Sequence, residues 1–300
     1  EIRIALEQHG VTFGPECCFY HLTEKMGFDM MNKTGRATLR AGALCWERRT
    51  GSVRLIVSPA KKMRSDSDSF AVAAPPQFLE QAEELKTYLQ TLDYDQCRAL
   101  WRCNDAIAAL NFERVRHMDL RRAQTPALFS YDGIQYRYMA PNVFSERELS
   151  YVQEHLRILS GFYGLLRPFD GVEPYRMEMQ AKLAGFRCST LYEFWGASLA
   201  EALAAEDACL VNLASQEYSK AVRPYWGTQR RWVECTFAEE VGGKRREKAT
   251  QAKMARGAMV RYLAERQARE PEEMRGFDRF GFSYDAAASS PDHFIFVKGA

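Results

Sequence analysis

LRILSGFYGLLRPFDGVEPYRMEM, residues 156–179, is the stretch of sequence on which the fold prediction depends most. Upstream of it, Ser145 is followed three residues later by Glu148, which is the spacing of a helix capping box. Apolar residues then recur at the spacing of one buried helix face, at Leu149, Val152, Leu156 and Leu159. We therefore predict a helix that begins after Ser145 and ends at Ser160-Gly161.

Two glycines, Gly161 and Gly164, follow that helix and indicate a tight turn, because neither carries a Cβ. Backbone N–H groups in such a turn can approach a phosphate, and Arg167 adds a positive charge nearby. With the short helical piece predicted after it, the segment resembles a helix-hairpin-helix, in which main-chain donors hold nucleic-acid phosphates. Two residues separate these glycines, against one in the usual motif. The other interpretation, a C-cap glycine followed by a turn packed into the core, is the one that geometry alone favours.

The composition is that of an ordinary globular protein. With 300 residues, 46% of them hydrophobic, the chain can bury a substantial core in one large domain or two small ones. Its net charge of +2 does not decide about polyanionic partners, since a local basic groove can exist on a nearly neutral protein. The 8 cysteines form no CxxC motif, and the sequence has no HExxH or EF-hand loop, so we predict no metal site and no cofactor. We expect a cytoplasmic protein with no membrane segment, because neither a secretory signal nor a long apolar run is present.

Residues 1–52 differ from the rest of the chain. They carry no sustained helical or alternating pattern of apolar residues. We treat them as an N-terminal extension and predict a single domain over residues 53–300.

Two short apolar strands each end at a serine. Residues 53–57, VRLIV, lead into Ser58 and then Lys61-Lys62, and residues 210–213 lead into Ser215, which we expect to cap a helix carrying Glu217. If the two strands are parallel neighbours, both corners open on one edge of the sheet, where α/β proteins place their sites. For the first corner taken alone, a solvated lysine pair is the commoner explanation.

Charged residues follow ordered patterns in two segments. In an extended chain over residues 174–179, Arg176 and Glu178 project on the same side, close enough to pair or to share a ligand. A structural ion pair is the simpler interpretation unless a cleft lies there. A helix over about 250–267 places Lys253, Arg256, Gly257 and Arg261 on one arc and Ala252, Ala255, Ala258, Met259, Tyr262 and Leu263 on the other. Gly257 allows another backbone or a phosphate to approach, while a solvated basic face explains the arc equally well.

Five motifs follow one another along the chain: VSPAKK at 57–62, HLRILSGFYGLLRPFDGVEPYRMEM at 155–179, LYEFW at 191–195, NLASQEYSKAV at 212–222 and KMARGAMVRYL at 253–263. In this order they resemble the YaaA family of peroxide stress resistance proteins, over about residues 53–298. The resemblance implies an α/β (α+β) fold, a compact single domain with a mixed sheet, surrounding helices, a basic cleft and a helix-hairpin-helix that binds DNA. It also implies a cytoplasmic bacterial protein that limits hydrogen peroxide damage when iron is abundant.

The match extends to individual residues that the two candidate functions involve. They are Ser58, Pro59, Ala60 and Lys61, then Ser160, Gly161, Tyr163, Gly164 and Arg167, then Tyr175, Arg176 and Glu178, then Ser215, Glu217 and Lys220, and finally Lys253, Arg256 and Gly257. Lys62 stands where many members have Thr, and Ala106 where some have Lys, so the charge of the expected groove is shifted rather than lost.

Two functions remain open at this point. The first is largely sequence-independent, salt-sensitive DNA binding by Lys61, Lys62, Ser160, Gly161, Tyr163, Gly164, Arg167, Lys220, Lys253 and Arg256. The second is an enzyme acting on a small nucleobase-like or phosphate-bearing ligand, with Lys61, Tyr175, Arg176, Glu178 and Glu217 as candidate catalytic residues. Direct iron binding is a weaker third hypothesis, because the carboxylates and the 5 histidines show no ligand spacing. No oligomeric state is predicted.

Overall fold

A mixed sheet with helices around it forms the frame of the computed structural model, which describes residues 53–66, 70–123, 125–242 and 244–299. The strands are β1 (Arg54–Val57), β2 (Lys62–Met63), β3 (Thr125–Pro126), β4 (Tyr131–Asp132), β5 (Leu156–Ser160), β6 (Gly164–Leu166), β7 (Gly171–Val172), β8 (Cys209–Leu213), β9 (Arg231–Val241), β10 (Lys244–Arg246), β11 (Phe282–Tyr284) and β12 (His293–Lys298). The helices are α1 (Leu79–Thr91), α2 (Tyr94–Trp101), α3 (Asp105–His117), α4 (Ala127–Ser130), α5 (Ile134–Met139), α6 (Glu146–His155), α7 (Leu191–Trp195), α8 (Ser198–Glu206), α9 (Gln216–Ser219) and α10 (Ala249–Arg266). Short 3₁₀ segments occur at Leu120–Arg122, Pro141–Val143, Arg223–Tyr225 and Pro271–Gly276. The predicted extension, residues 1–52, lies outside the described residues.

The main sheet has 8 strands in the order β11-β12-β9-β8-β1-β5-β6, with β10 paired to β9. Its central strands β5, β1, β8 and β9 are parallel, while β6, β10 and β11 are antiparallel to their neighbours. All four residues of β1 are buried, as expected for a parallel strand covered on both faces. The prediction of an α/β fold with a mixed sheet is confirmed.

The two strands that end at serines are parallel neighbours, which was the condition for both corners to open on one edge of the sheet. Strand β1 pairs in parallel with β8, and Val57 is the register partner of Leu213. Both chains therefore leave the sheet at the same edge, which we call the carboxyl edge. Ser58 and Ser215 follow the two strands there.

The predicted helix up to Ser160 is wrong over its last five residues. Helix α6 has the predicted capping box at Ser145 and Glu148, but it ends at His155, and the next five residues form strand β5. All of β5 is buried, between β1 and β6. A fully buried strand is a nearly continuous run of apolar residues. Such a run fits the spacing of a buried helix face as well as it fits a strand, so spacing alone cannot distinguish them.

The predicted helix-hairpin-helix is also wrong, because the glycine turn joins two antiparallel strands, β5 and β6. Ser160 and Tyr163 are each 0% exposed, and the Ser160 hydroxyl already accepts hydrogen bonds from the N–H groups of Phe162 (3.2 Å) and Tyr163 (2.8 Å). These main-chain donors are therefore satisfied inside the protein and are closed to a phosphate. Of the competing interpretation, a C-cap glycine followed by a turn packed into the core, the packed turn is correct, whereas Gly161 caps no helix because α6 ends at His155.

The two glycines serve close packing. A Cβ on Gly161 would lie 2.8 Å from the carbonyl oxygen of Met177, so this turn presses against the backbone of the segment that carries Arg176 and Glu178. Gly164 has a φ of +72° and no room beside the ring of Trp195. The turn thus fixes the position of residues 176–178.

A third glycine brings two helices together. Helix α10 crosses α5 at Gly257, where a Cβ would lie 1.9 Å from the carbonyl oxygen of Gln135. The apolar arc predicted for this helix, Ala252, Ala255, Ala258, Met259, Tyr262 and Leu263, is buried. Of the two groups expected to approach Gly257, a backbone and a phosphate, the structure places the backbone there.

At the opposite, amino edge of the sheet, buried charges are paired. Arg54 and Arg157 both contact one carboxylate oxygen of Glu206, at 3.3 and 2.9 Å. Asp170, which is 2% exposed, accepts a hydrogen bond from the backbone N–H of Arg167 at 2.8 Å. Burial raises the pKa of Asp170 to about 6, against the opposing influence of Arg167 and Arg157.

This carboxyl group makes stability depend on pH. Between about pH 4 and pH 6 the folded chain holds a proton on Asp170 that the unfolded chain has lost, so the free energy of unfolding falls as the pH rises through that window, by roughly 3 kcal/mol. We expect Asp170→Asn to flatten this fall, which urea midpoints measured across the window will show. Asp95→Asn, at an exposed position of α2, is the control, and an equal slope in both variants would contradict the prediction.

Candidate functional site

The carboxyl edge is organised around the contact between the two serine corners. The backbone N–H of Ser215 donates to the hydroxyl of Ser58 at 2.8 Å, and that hydroxyl lies 3.2 Å from the Ser215 hydroxyl. The Tyr136 hydroxyl donates to the carbonyl oxygen of Ser58 at 3.0 Å. Ser215 precedes α9 but makes no side-chain cap, because its hydroxyl faces Ser58 instead.

On one side of this contact lies an open cleft of about 680 Å³, which we call the basic cleft. Four cationic side chains line it: Lys220 directly after α9, Arg223 in the following 3₁₀ turn, and Lys253 and Arg256 in the first half of α10. The remaining lining residues are Ala214, Ser215, Gln216, Ser219, Pro224, Glu234, Cys235, Thr236, Glu247 and Ala249. The cleft therefore contains twice as many cations as carboxylates.

Most of the negative charge in the basic cleft is already engaged. Glu234 accepts two hydrogen bonds from the side-chain amide of Asn212, at 2.8 and 3.0 Å, and one from the indole N–H of Trp232 at 2.9 Å. Glu247 forms an ion pair with Arg256 at 2.7 Å. The two carboxylates are thus held by protein groups.

Three of the cationic side chains, in contrast, have groups that can still bind an anion. Lys220 and Lys253 are exposed, and within the part of the chain that the structure describes neither ammonium has an ion-pair partner. The buried Nε of Arg256 has no hydrogen-bond partner either. An anion in the cleft would provide acceptors for all three groups.

On the other side of the serine contact lies a small pocket with room for about one water molecule, which we call the Lys61 pocket. It is lined by Pro59, Ala60, Lys61, Tyr175, Arg176, Met177, Glu178 and Tyr218. The Lys61 ammonium lies 2.8 Å from the Glu178 carboxylate, and Nη2 of Arg176 lies 3.6 Å from the same oxygen. The predicted projection of Arg176 and Glu178 on one side is confirmed.

Glu217, on α9, adjoins this pocket. Its carboxylate accepts a hydrogen bond from the backbone N–H of Gln180 at 3.4 Å. Burial raises the pKa of Glu217, the negative charge of Glu178 raises it further, and Lys61 acts in the opposite direction. The two carboxyl groups therefore lie close together in different environments.

Tyr175 has a structural environment although it lines the pocket. Its hydroxyl is hydrogen-bonded to those of Ser160 at 2.6 Å and Tyr131 at 3.0 Å, and the residue is 4% exposed. Burial raises its pKa to about 12. The phenol is thus engaged within the core and joins the glycine turn to the pocket wall.

The structure divides the predicted site residues into separate groups. Lys220, Lys253 and Arg256 meet in the basic cleft, and Lys61, Arg176, Glu178 and Glu217 meet at the Lys61 pocket. Ser160, Gly161, Tyr163 and Gly164 are buried in the hairpin. Arg167 is exposed but follows β6 back towards the amino edge, and Lys62 pairs with Asp132 at 2.8 Å. Arg261, expected beside Arg256, pairs with Glu265 away from the cleft lining.

Arg223 and Glu234 belong to the basic cleft but were not among the predicted site residues. Arg223 lies three positions after Lys220, directly after a matched motif, and its guanidinium lies 5.1 Å from the ring centre of Trp232. Its proximity to Lys220 in sequence was the one available signal. Nothing in the local sequence of β9 indicates that Glu234 reaches the cleft.

The fold and the site define an α/β protein with a cation-lined cleft at the carboxyl edge of a mixed sheet. A family model described as peroxide stress protein YaaA matches residues 53–288. Proteins named UPF0246 are similar: one from Lachnoclostridium phytofermentans is 49% identical over 82% of this chain and 97% of its own length, and one from Pediococcus pentosaceus is 47% identical over 82% and 98%. The chain belongs to the YaaA family of peroxide stress proteins, and this membership supports a peroxide-stress-related role.

Two further observations concern membranes and metals. No helix among the described residues is long and apolar enough to cross a membrane. In the same ranges, no three side chains of His, Cys, Asp or Glu are grouped so that they could hold a metal ion.

Proposed function

We propose that the protein acts in peroxide stress by binding DNA through the basic cleft. The observation that carries the proposal is the unused positive charge there: two exposed ammonium groups, Lys220 and Lys253, without acidic partners in the described chain, beside the unpartnered Nε of Arg256. Phosphate oxygens are the acceptors that lysine and arginine most often meet in DNA complexes. Because such contacts involve the backbone of DNA, binding is largely independent of sequence.

The location of the cations supports the same proposal. Strand β8 ends at this edge, which is where α/β folds commonly hold phosphate-bearing ligands, and the middle of the longer strand β9 forms one wall of the cleft with Glu234, Cys235 and Thr236. Lys220 follows α9, and Lys253 and Arg256 lie on α10, which Gly257 fixes against α5. The backbone that carries these positive charges is therefore ordered and needs little rearrangement when DNA binds.

A salt titration of duplex DNA tests this proposal. We expect the Lys220→Gln, Lys253→Gln double variant to bind more weakly and to lower the slope of log affinity against log salt by about 2, since each lost phosphate contact removes about one unit. The matched control is Arg266→Gln, Arg269→Gln, which removes one charge at the last residue of α10, roughly 20 Å along the helix from Lys253, and one charge three residues further on. Equal affinities and slopes for the two variants would reject the basic cleft as the DNA site.

An enzyme acting on a small phosphate-bearing or nucleobase-like ligand is the second candidate function. It is favoured by the size of the basic cleft, about 680 Å³, which lies in the range of small-molecule sites, and by the mixed acid-base group around Glu178 next to it. Thermal stabilisation by nucleoside monophosphates, lost in the Lys220→Gln, Lys253→Gln variant, supports this candidate. Stabilisation by DNA alone counts against it.

A further inference from the structure

We propose that Glu178 and Glu217 form an acid-base pair that hydrolyses the N-glycosidic bond of a nucleotide unit whose phosphate lies in the basic cleft. This inference rests on the proposed phosphate binding and adds a reaction to it. The nucleotide unit is either free or part of a DNA strand, since both offer the same phosphate, sugar and base.

The geometry that points to this reaction is the position of α9 between the two sites. Gln216 and Ser219 of this helix, with Lys220 after it, line the basic cleft, whereas Tyr218 lines the Lys61 pocket and Glu217 accepts a hydrogen bond from Gln180 beside it. One turn of helix thus contributes to both sites. A ligand anchored by its phosphate at Lys220 reaches the carboxyl groups with its adjoining sugar and base.

The two carboxyl groups have environments suited to opposite roles. Glu178 is paired with the ammonium of Lys61 at 2.8 Å and approached by Arg176 at 3.6 Å, so two cations face this carboxylate. Glu217 is half-buried and faces the charge of Glu178, and both influences raise its pKa. The other titratable or charged groups around it are Lys61, Arg176, Tyr192 and Tyr218. One carboxyl group thus faces two cations while its neighbour is half-buried beside a negative charge, and such a difference in surroundings is how one site holds both an acid and a base.

The Lys61 pocket supplies the place for the nucleophile, because it has room for about one water molecule beside Glu178. Glu178 takes a proton from that water while the oxygen of the water bonds to C1′ of the sugar. The bond from C1′ to the base nitrogen breaks, its electron pair stays on the nitrogen, and Glu217 delivers a proton there. The products are a sugar with a hydroxyl on C1′ and a free base, and the proton on Glu178 returns to Glu217 through solvent.

This reaction class fits a pair of carboxyl groups. Glycosidic hydrolysis passes through a positively charged, oxocarbenium-like state, which a carboxylate stabilises while an acid protonates the leaving group. In a duplex the target base must leave the stack to reach such a pocket, and this is the usual route for enzymes that act on bases. Free nucleotides and single strands avoid the free-energy cost of taking the base out of a duplex stack.

The test incubates the full chain with duplex and single-stranded oligonucleotides and with ribo- and deoxyribonucleoside monophosphates. Released bases are measured by mass spectrometry, and DNA binding is measured in parallel. We expect base release that falls about 100-fold or more in Glu178→Gln and in Glu217→Gln. In Glu201→Gln, at an exposed position of α8, release should stay at the wild-type level. The rate of release should fall as the pH rises above the pKa of Glu217, because the acid form is required.

The arms separate the two proposals. Release from DNA alone, from monophosphates alone or from both supports the inference and identifies the source of the nucleotide unit. Intact substrates together with salt-dependent DNA binding overturn the inference and leave DNA binding standing. Base release from monophosphates without any DNA binding supports the inference and rejects the proposed DNA binding. Base release that persists in both glutamine variants, checked to be folded, also overturns the inference.

Discussion

The Gly161→Val, Gly164→Val double variant should fail to fold. A side chain at position 161 must displace the backbone at Met177, where even a Cβ would come within 2.8 Å of the carbonyl oxygen. A side chain at position 164 meets the Trp195 ring at 2.8 Å and requires a β-branched residue at a φ of +72°. Overpacking costs about 1–3 kcal/mol at each site, and the backbone strain adds to it, which together approach the whole stability of a small domain.

Far-UV circular dichroism and urea unfolding measure this effect. Gly185→Val is the matched control, because Gly185 has a similar φ of +73° but a Cβ added there would meet nothing within 4 Å, so it isolates the backbone strain. We expect the control to fold with a moderately lower urea midpoint. A double variant with a midpoint near that of the control would contradict the tight packing of this turn. Loss of DNA binding in the unfolded double variant carries no information about phosphate contacts.

Gly257→Ala should destabilise the protein, although helix propensity alone predicts the opposite. In an exposed helix interior this change stabilises by about 1 kcal/mol. In α10 the new Cβ would lie 1.9 Å from the carbonyl oxygen of Gln135 and 3.0 Å from the backbone nitrogen of Met139, and backbone atoms cannot move aside as a flexible side chain can. We expect α5 and α10 to be forced apart, at a net cost of about 2 kcal/mol.

The sign of the change in unfolding free energy decides this prediction. A rise of the urea midpoint would mean that α5 yields without cost and that the helix crossing is loose. The same variant bears on the basic cleft, because separation of the helices displaces Lys253 and Arg256. A folded Gly257→Ala protein should therefore bind DNA more weakly than wild type at equal salt.

The sequence was sufficient where local chemistry decides the structure. The capping box at Ser145 and Glu148, the alternation of Arg176 and Glu178 and the buried arc of α10 each depend on spacing within one element. The two strands that end at serines were recognisable from the sequence, and the shared edge of their corners was expected on the condition that they are parallel neighbours, which they are.

The sequence was insufficient where tertiary packing decides. The spacing at Leu156 and Leu159 fits a helix, but burial on both faces of the sheet makes the segment a strand. Gly161 admits a close neighbour, and spacing cannot tell whether that neighbour is a phosphate or the carbonyl of Met177. Arg167 belongs to a matched motif, yet the reversal from β5 to β6 carries it away from the cleft. The motif therefore predicted a tight turn at this point of the chain, but it did not predict where the side chain of Arg167 lies.

The central position of β1 in the sheet has a consequence for the synthesis of the protein on the ribosome. Its two neighbours in the sheet, β5 and β8, begin at Leu156 and Cys209, so the first strand of the described chain emerges long before either partner. At ordinary elongation rates the hundred or so intervening residues take roughly 5–20 s to synthesise. During that interval the apolar strand Arg54–Val57 has both edges unpaired, and chaperones that recognise short apolar segments have their best opportunity to bind it.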